Sequence, residues 1–519
     1  MIERILTVGG LTLVSRLTGF IRDIVLAYFL GAGPIADAFF VAWRLPNHFR
    51  AIFAEGAFNA AFVPAYARIR EQHGADAVRL FADRVFTLMV VSQAMLLVAA
   101  LLFMPWLVAA LAPGFTHDPG RFELAVEFTR ITFPSLMLMA LVTLYSGVLN
   151  ARERFAAAAA APILLNLAMI AALGCAWLFP TAGHAAAWAV LLAGFLELLL
   201  VTGDAARAGA TARFRLPRFD EHVKRFFKAL GPAVIGSSGV QLALLADTII
   251  ASFLARGAVS ALYYADRLNQ LPIGVIGIAA GTVVLPEMAR RIAAGDEAGA
   301  LQAQNRAIEF TLVLSVPCVA AFLLVPDLIM RALFARGAFT AADAAAAGAT
   351  LAAYTIGLLP FVLIRSVSAT FLARGDTWTP VKAALAAASV NIALKVALMG
   401  PLAQVGLALA TAIGAWINFG LVVWFAARAG LFGLDDRLKS SIFKVFVAGL
   451  ALALVLLLAQ DPVLALYRSW PRLREEAALA TLAIIGALVY GGLIAVLFGR
   501  QWLAAFRRSR GTKAITAED

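Results

Sequence analysis

The first fifty residues place four arginines inside two segments that are long and apolar enough to cross a lipid bilayer. These segments run from Ile5 to Leu30 and from Asp37 to Val63. The four cations are Arg16, Arg22, Arg44 and Arg50, and the nearest acids are Asp23 and Asp37. A charge at mid-bilayer costs at least ~2.5–3.5 kcal/mol, so a segment that carries one usually faces a bundle interior or a water-filled cavity. Because the cations outnumber the anions, the pattern predicts an anionic cargo.

The rest of the chain is also strongly apolar. It has 519 residues, of which 62% are hydrophobic and 14% charged, and its mean hydropathy is +0.88. The apolar runs reach about 20 residues or more, which predicts an all-α polytopic membrane protein. We expect about 14 transmembrane helices, centred near Thr18, Phe49, Met95, Leu138, Leu167, Leu192, Leu242, Val275, Leu314, Gly357, Val390, Ala415, Leu452 and Ile485.

Positive charge is concentrated in short segments between the apolar runs. The net charge is +12, and the loop from Ala206 to Lys228 alone carries seven basic residues. This distribution follows the positive-inside rule and predicts that both termini are cytoplasmic, without a nucleic-acid partner. Cys175 and Cys318 each lie inside an apolar run, which favours free thiols over a disulfide.

The chain resembles itself at an offset of 222–226 residues. The stretch from Asp23 to Gly33 aligns with the stretch from Asp247 to Gly257, and Asn166 aligns with Asn391. The repeat predicts two parallel six-helix halves, an N-lobe at 1–222 and a C-lobe at 223–432. Two extra helices follow at 433–505, and a basic cytoplasmic tail at 506–519. Parallel repeats are a transporter architecture with the substrate site between the halves.

Enzyme signatures are nearly absent from the sequence. No Gly-x4-Gly-Lys-Ser/Thr loop and no Cys/His metal-ligand spacing occurs, so we expect no enzyme activity, no metal and no cofactor. The arginines, in contrast, suit a phosphate, since guanidinium groups bind oxyanions bidentately and stay charged in a low dielectric. The candidate anion-binding set is Arg16, Arg22, Arg50 and Arg267.

Two other interpretations of these arginines remain open at this point. Their side chains could extend from the helix ends to the membrane surface. Alternatively, Arg22 could form a structural ion pair with Asp23 or Asp37, and Arg267 could do the same beside Asp266.

A second polar cluster is expected in the second half, at one depth in the membrane. Its members are Asp247, Asn391, Lys395 and Thr411. Asn391 and Lys395 are four residues apart and so share a helix face. Two interpretations are open: oxygen ligands for a coupling Na⁺ or proton, or a fixed ion pair between Asp247 and Lys395.

Several long motifs resemble the MurJ (MviN) family of lipid II flippases. They are Ser15-Arg16-Leu-Thr-Gly19-Phe-Ile-Arg22-Asp23, Gly31-Ala-Gly33-x-x-x-Asp37, Leu45-Pro46-Asn47-x-x-Arg50, Phe53-Ala-Glu55-Gly-Ala-Phe58 and Tyr263-Tyr-Ala-Asp-Arg267-Leu. The similarity covers nearly the whole chain.

The resemblance implies a multi-pass protein of the bacterial cytoplasmic membrane in the multidrug/oligosaccharidyl-lipid/polysaccharide (MOP) exporter superfamily. It implies two lobes around a cationic cavity, and helices thirteen and fourteen forming a groove for a lipid tail. By resemblance the cavity arginines are Arg16, Arg22, Arg50 and Arg267, and the gating and cavity-support residues are Asp23, Ala27, Asp37, Ser260 and Asp266. Gln270 departs from relatives that have a glutamate there, which argues against a gate ion pair at that position.

The implied cargo is lipid II, an undecaprenyl-pyrophosphate-linked disaccharide pentapeptide, moved from the inner to the outer leaflet. The alternative is another polyprenyl-pyrophosphate-linked saccharide, such as an O-antigen or capsule precursor. Further expectations are coupling to the membrane potential or to Na⁺ or H⁺, contact with membrane lipids and with cell-wall synthesis and division proteins, and a monomeric state.

Overall fold

The described part of the chain is helical. The computed structural model describes the backbone of residues 2–50, 58–216, 218–470 and 472–515. Side chains are described within these ranges except at 2–6, 45, 48–50, 235–243, 278–280 and 500–515. No β-strand occurs in the described ranges. The described residues form two compact units, and each is taken by itself below.

The first unit comprises Met1–Ser260 together with Arg336–Asp343. Its helices are α1 (Ile2–Leu30), α2 (Pro34–Arg50), α3 (Phe58–Leu102), α4 (Met104–Leu111), α5 (Pro119–Thr132), α6 (Ser135–Asn150), α7 (Ala156–Gly174), α8 (Ala182–Arg207) and α9 (Glu221–Ser252). A 3₁₀ turn, Pro113–His117, joins α4 to α5. The core on the α3 side is aromatic, with Phe62, Phe81 and Phe226 in mutual ring contact.

The second unit comprises Ala261–Ala335 and Ala344–Asp519. Its helices are α10 (Ala258–Pro272, which begins in the first unit), α11 (Ile278–Ala293), α12 (Glu297–Leu324), α13 (Pro326–Phe334), α14 (Ala341–Thr355), α15 (Leu358–Leu372), α16 (Trp378–Arg428), α17 (Asp436–Leu466) and α18 (Arg474–Ile515). A π-helical turn, Ile273–Gly277, joins α10 to α11.

Helix length and hydropathy confirm the predicted fold class. Ten helical stretches of the described chain are long and apolar enough to cross a membrane. Two of the longest helices change direction: α3 at Gly74 (φ 81°) and α16 at Ala403 (φ 47°). A residue with positive φ cannot continue a right-handed helix, so each of these consists of two helical parts that meet at that residue. The count of 14 spans and the lobe boundaries stay predictions.

The sequence repeat reappears in the helix boundaries. The break between α5 and α6 at Phe133–Pro134 corresponds to the break between α14 and α15 at Ile356–Gly357, 223 residues later. The start of α5 at 119 and the start of α14 at 341 differ by 222 residues, and the ends of α8 at 207 and α16 at 428 differ by 221. Helices therefore begin, break and end at equivalent positions in the two halves.

Two short segments of the first unit make equivalent contacts on the ends of two long helices. The backbone N–H of Ala338 donates to the carbonyl of Tyr28 at the end of α1 (2.8 Å), and that of Gly114 donates to the hydroxyl of Ser252 at the end of α9 (3.0 Å). Tyr28 and Ser252 are 224 residues apart, and so are Gly114 and Ala338. The segment before α5 therefore contacts the end of α9, and the equivalent segment before α14 contacts the end of α1.

Close approach in these contacts requires glycine. Gly31 has φ +63°, and a Cβ atom placed there would lie 2.4 Å from the carbonyl oxygen of Ala338. Gly33, two residues later, has an ordinary φ and no heavy atom within 4 Å of such a Cβ.

We predict that Gly31→Ala lowers the free energy of unfolding by at least ~1–3 kcal/mol, the cost of forcing an alanine into left-handed backbone, with the clash added. Gly33→Ala is the matched control and should leave it nearly unchanged. The measurement is the thermal unfolding midpoint of each purified variant in detergent. Equal midpoints for the two variants would contradict the proposed close approach.

Candidate functional site

Arg22 is buried in the first unit with its counterion beside it. Arg22 is 5% exposed and Asp23 3% exposed. The Arg22 Nε and Nη2 atoms both donate to Asp23 Oδ1, at 3.1 and 2.7 Å, and Nη1 donates to Asn166 Oδ1 at 2.9 Å. The structural ion pair that the sequence left open is therefore formed with Asp23.

Asn166 of α7 fixes the position of this guanidinium. Its Nδ2 atom donates to the carbonyl of Ser15 and to the hydroxyl of Thr18, both at 3.0 Å. Because the amide nitrogen is committed to two acceptors, its oxygen faces Arg22 and accepts from it. A Cβ at Gly19 would touch the same amide at 3.5 Å, so a larger residue there would crowd Asn166.

Trp43 completes the surroundings of Arg22. The Arg22 Cζ atom lies 4.8 Å from the centroid of the Trp43 ring, a cation–π distance. Arg22 is therefore held by α1, α2 and α7 together. Three of its five N–H groups, those on Nε, Nη1 and Nη2, have protein acceptors; this leaves donor capacity for an anion that competes with Asp23.

The other predicted arginines differ in their environments. Arg16 is exposed on α1, six residues before Arg22. Arg50 ends α2, but its side chain lies outside the described part of the structure. Arg44 is half-buried, with Nη1 at 3.5 Å from the Thr248 hydroxyl. The binding roles of Arg16 and Arg50 stay predictions, and Arg44 is not in the predicted anion-binding set.

Arg267 lies in the second unit and folds back along its own helix. Its Nε atom donates to the Tyr263 hydroxyl at 3.3 Å, and its Cζ atom lies 5.3 Å from the centroid of that ring. The neighbouring Asp266 accepts a hydrogen bond from Gln270 at 2.5 Å. An amide at position 270 thus satisfies the carboxylate without adding a second negative charge.

Asp37 is the centre of a second buried cluster, which we call the Asp37 junction: Asp37, Arg121, Gly257 and Ser260. Asp37 is fully buried. Its Oδ1 accepts from the backbone N–H and the hydroxyl of Ser260, at 2.9 and 2.6 Å, and its Oδ2 accepts from the N–H of Gly257 at 2.7 Å. One carboxylate of α2 therefore caps the start of α10, a favourable place for a negative charge.

Arg121 of α5 fastens the other side of the Asp37 junction. Its Nη1 lies 3.4 Å from Asp37 Oδ2, and both terminal nitrogens donate to the carbonyl of Leu254 at 3.3 Å. Its Cζ atom lies 4.0 Å from the Phe115 ring centroid. The guanidinium thus ties α2 and α5 to the turn between α9 and α10.

An exposed ion pair lies next to the same turn. Arg256 Nε and Nη2 donate to the two oxygens of Asp118, at 2.7 and 2.8 Å. This hydrogen bonding lowers the pKa of the Asp118 carboxyl below its usual value. The pair therefore persists as pH falls and is lost only when the depressed pKa of Asp118 is reached.

Ala27 and the second polar cluster are positioned by helix packing. Ala27 is fully buried, and its carbonyl accepts from Gly31 at 2.9 Å. Asn391 donates to the carbonyl of Ala410 at 3.2 Å, which links the two parts of α16, and Thr411 donates to Leu407 at 3.0 Å.

Whether that second cluster holds an ion stays a prediction. Lys395 is buried at 3% exposure, and Asp247 belongs to the first unit. Among the described residues no group of three or more His, Cys, Asp or Glu side chains is arranged to hold a metal ion.

Sequence reasoning missed Arg121 and the role of Asn166. Arg121 follows Thr116-His117-Asp118-Pro119-Gly120, a polar stretch typical of a solvated loop, so nothing local marks it as buried. Asn166 was found only as the repeat partner of Asn391. The available signal was a lone amide in a 19-residue apolar helix, which needs a polar partner.

Comparison with known proteins gives one family. The family model described as "Lipid II flippase MurJ" matches residues 26–469. A probable lipid II flippase MurJ of Rhizobium meliloti (strain 1021) is 41% identical, over 100% of this chain and 98% of the relative. The lipid II flippase MurJ of Burkholderia cenocepacia is 34% identical, over 98% of each chain.

Solved structures share the fold. A lipid II flippase MurJ in an inward closed conformation superposes with a TM-score of 0.80 at 23% identity, covering 95% of this chain and 99% of that one. An inward-facing multidrug resistance MATE transporter of the MOP superfamily gives a TM-score of 0.64 at 16% identity, covering 80% and 95%.

We predict that Asp23→Ala destabilises the protein by ~3–5 kcal/mol, because it leaves the Arg22 charge buried without its counterion. Removing both charges, in Arg22→Leu/Asp23→Leu, should recover most of that loss. The measurement is the thermal unfolding midpoint in detergent, with Asp76→Ala, at an exposed position, as the control. If Asp23→Ala were as stable as the control, Asp23 would not be the counterion.

Proposed function

Since this chain belongs to the MurJ family of lipid II flippases, we propose that it translocates lipid II from the inner to the outer leaflet of the bacterial cytoplasmic membrane. The observation that carries the proposal is identity of 34–41% with MurJ proteins over essentially the full length of the chain. The helical fold with its many apolar spans supports a transporter.

The Arg22 cluster supplies the chemistry for a pyrophosphate. Moving that group through a membrane removes it from water, and the lost hydration must be replaced by cations and N–H donors. The Arg22 guanidinium is already buried and oriented by Asn166 and Trp43. In our proposal the pyrophosphate oxygens take over donors that Asp23 now occupies, and Arg16, Arg50 and Arg267 add positive charge.

The Asp37 junction fits the role of an outer gate. With both termini in the cytoplasm, as predicted, the turn between α1 and α2 and the turn between α9 and α10 face outward. The closed junction then corresponds to a pathway shut on the outside. When the junction opens, the turn moves away and water enters to replace the protein donors to Asp37. The carboxylate is therefore hydrogen-bonded in both states.

The first test measures lipid II on the outer leaflet of cells depleted of their own flippase. Expression of this chain should restore exposure, whereas Arg22→Ala should reduce it to the level of the depleted cells because the pyrophosphate loses its oriented cation. Arg225→Ala, at an exposed position near the start of α9, is the control and should behave as the unaltered chain.

Two outcomes would overturn parts of this proposal. If the unaltered chain inserts into the membrane but lipid II stays inside, the cargo is another polyprenyl-pyrophosphate-linked saccharide. If Arg22→Ala is as active as the control, Arg22 does not bind the pyrophosphate.

The second test follows the Asp37 junction by thiol labelling. Ser260→Cys is introduced after Cys175 and Cys318 are replaced by serine, and a membrane-impermeant maleimide is added from outside. Ser260 is fully buried here, so labelling should be slow. Adding Asp37→Asn removes charge-assisted hydrogen bonds and should accelerate labelling about tenfold or more.

Ala255→Cys, at an exposed position of the same turn, controls for reagent access and should label rapidly with or without Asp37→Asn. If Ser260→Cys labels as fast as Ala255→Cys before Asp37 is altered, the junction is not a closed gate.

A further inference from the structure

Arg365 is a cation inside an apolar helix pair, and the sequence motifs do not include it. It lies on α15, seven residues before the helix ends at Leu372. At 1.5 Å per residue that places it about 10 Å inside the helix end. The described residues provide no ion pair and no hydrogen bond to its guanidinium, which is exposed. A membrane arginine in such a setting is a candidate for binding an anion.

The helix that faces Arg365 is shaped around its side chain. A Cβ at Gly277 would lie 3.2 Å from Arg365 Nε and 3.3 Å from its Cδ, and a Cβ at Gly281 would lie 3.7 Å from its Cβ and Cδ. These glycines are one turn apart, so they form a shallow slot along one face. Gly277 also ends the π-helical turn Ile273–Gly277, a feature frequent at functional sites.

An open cleft lies beside the slot. It has a volume of about 480 Å³ between α11 and α15, and its lining includes the hydroxyl residues Thr282 and Ser368 together with Leu285 and Ile364. Hydroxyls beside a guanidinium supply additional hydrogen bonds to an oxyanion.

This cleft is separate from Arg267 within the same unit. Gly277 is ten residues beyond Arg267 along α10 and the π-helical turn, which corresponds to about 15 Å. The Arg267 side chain folds back over Tyr263, away from Gly277, which increases the separation. The two phosphates of a pyrophosphate share one bridging oxygen and lie close together, so this separation favours a different anionic group for each of the two guanidinium groups.

We propose that Arg365 binds a carboxylate of the peptide part of the cargo while the pyrophosphate is bound elsewhere. This inference rests on the proposed function, since it needs a cargo with two anionic regions. One guanidinium matches one carboxylate in charge and in its two-pronged geometry, whereas a pyrophosphate carries more charge than a lone arginine offsets. Arg365 thus recognises the peptide end of the cargo.

The experiment measures binding of three lipids to the full-length protein in detergent, by native mass spectrometry. The lipids are lipid II, lipid II whose peptide carboxylates are all amidated, and undecaprenyl pyrophosphate. Amidation should weaken binding to the unaltered protein about tenfold or more, the scale of a charge-assisted contact. Arg365→Gln should bind lipid II as weakly as the unaltered protein binds the amidated form, without further loss on amidation.

Matched variants separate binding from folding. Arg365→Lys should retain part of the discrimination, and Arg428→Gln, which removes a cation at the end of α16, should retain all of it. All three variants should keep the unfolding midpoint of the unaltered chain.

The possible failures are distinguishable. If Arg365→Gln still discriminates the amidated lipid, the peptide site is elsewhere. If Arg365→Gln also loses undecaprenyl pyrophosphate, Arg365 binds the pyrophosphate and the carboxylate assignment is wrong. If the unaltered protein binds none of the three lipids, the proposed function itself fails.

Discussion

A charge buried in an apolar helix bundle must be compensated by neighbouring polar groups. This requirement determines how the functional residues of this molecule are arranged. Arg22 meets it through Asp23 and Asn166, and Asn166 in turn is satisfied by Ser15 and Thr18. Such a network keeps a cation ready inside the membrane without leaving it unpaired. The network also sets a threshold for the cargo, because an anion must bind Arg22 more strongly than the Asp23 carboxylate that it displaces. A pyrophosphate, with several charged oxygens, meets that threshold more readily than a single weak acid.

The same requirement operates at the Asp37 junction with the signs reversed. There a buried carboxylate receives two backbone N–H groups, a hydroxyl and an arginine. All four of these partners belong to the start of α10 and to α5. The closed state therefore depends on a compact polar cluster. Such a cluster opens at modest cost when water replaces the donors, unlike an apolar core.

The internal repeat gives this arrangement its symmetry. Gly114 and Ala338 occupy equivalent positions and reach the ends of α9 and α1, which are also equivalent. The repeat is carried through to the polar sites only in part. Asp23 corresponds to Asp247 and Asn166 to Asn391, whereas Asp37 corresponds to Ala261 and Arg365 to Thr143 at the nearest offsets, so the charges of the two halves differ. A symmetric scaffold with asymmetric charge suits a cargo whose two ends differ chemically.

The sequence by itself determined the helical membrane fold, the parallel repeat and the family. The evidence for them is the hydropathy, the spacing of Asp23 and Asp247, and the Arg16–Asp23 motif, and all three are visible in the order of residues alone. Through the family resemblance the sequence also pointed to Arg22 as a cavity arginine and to Asp37 and Ser260 as gating and cavity-support residues. Only the tertiary structure decided which partners they have: Asp23 rather than Asp37 for Arg22, and Arg121 and Gly257 for Asp37. It likewise revealed Arg365 against Gly277. The partners of Asp37, Arg121 and Gly257, lie 84 and 220 positions away from it, and at such separations the choice of partner is made by helix packing rather than by any local pattern.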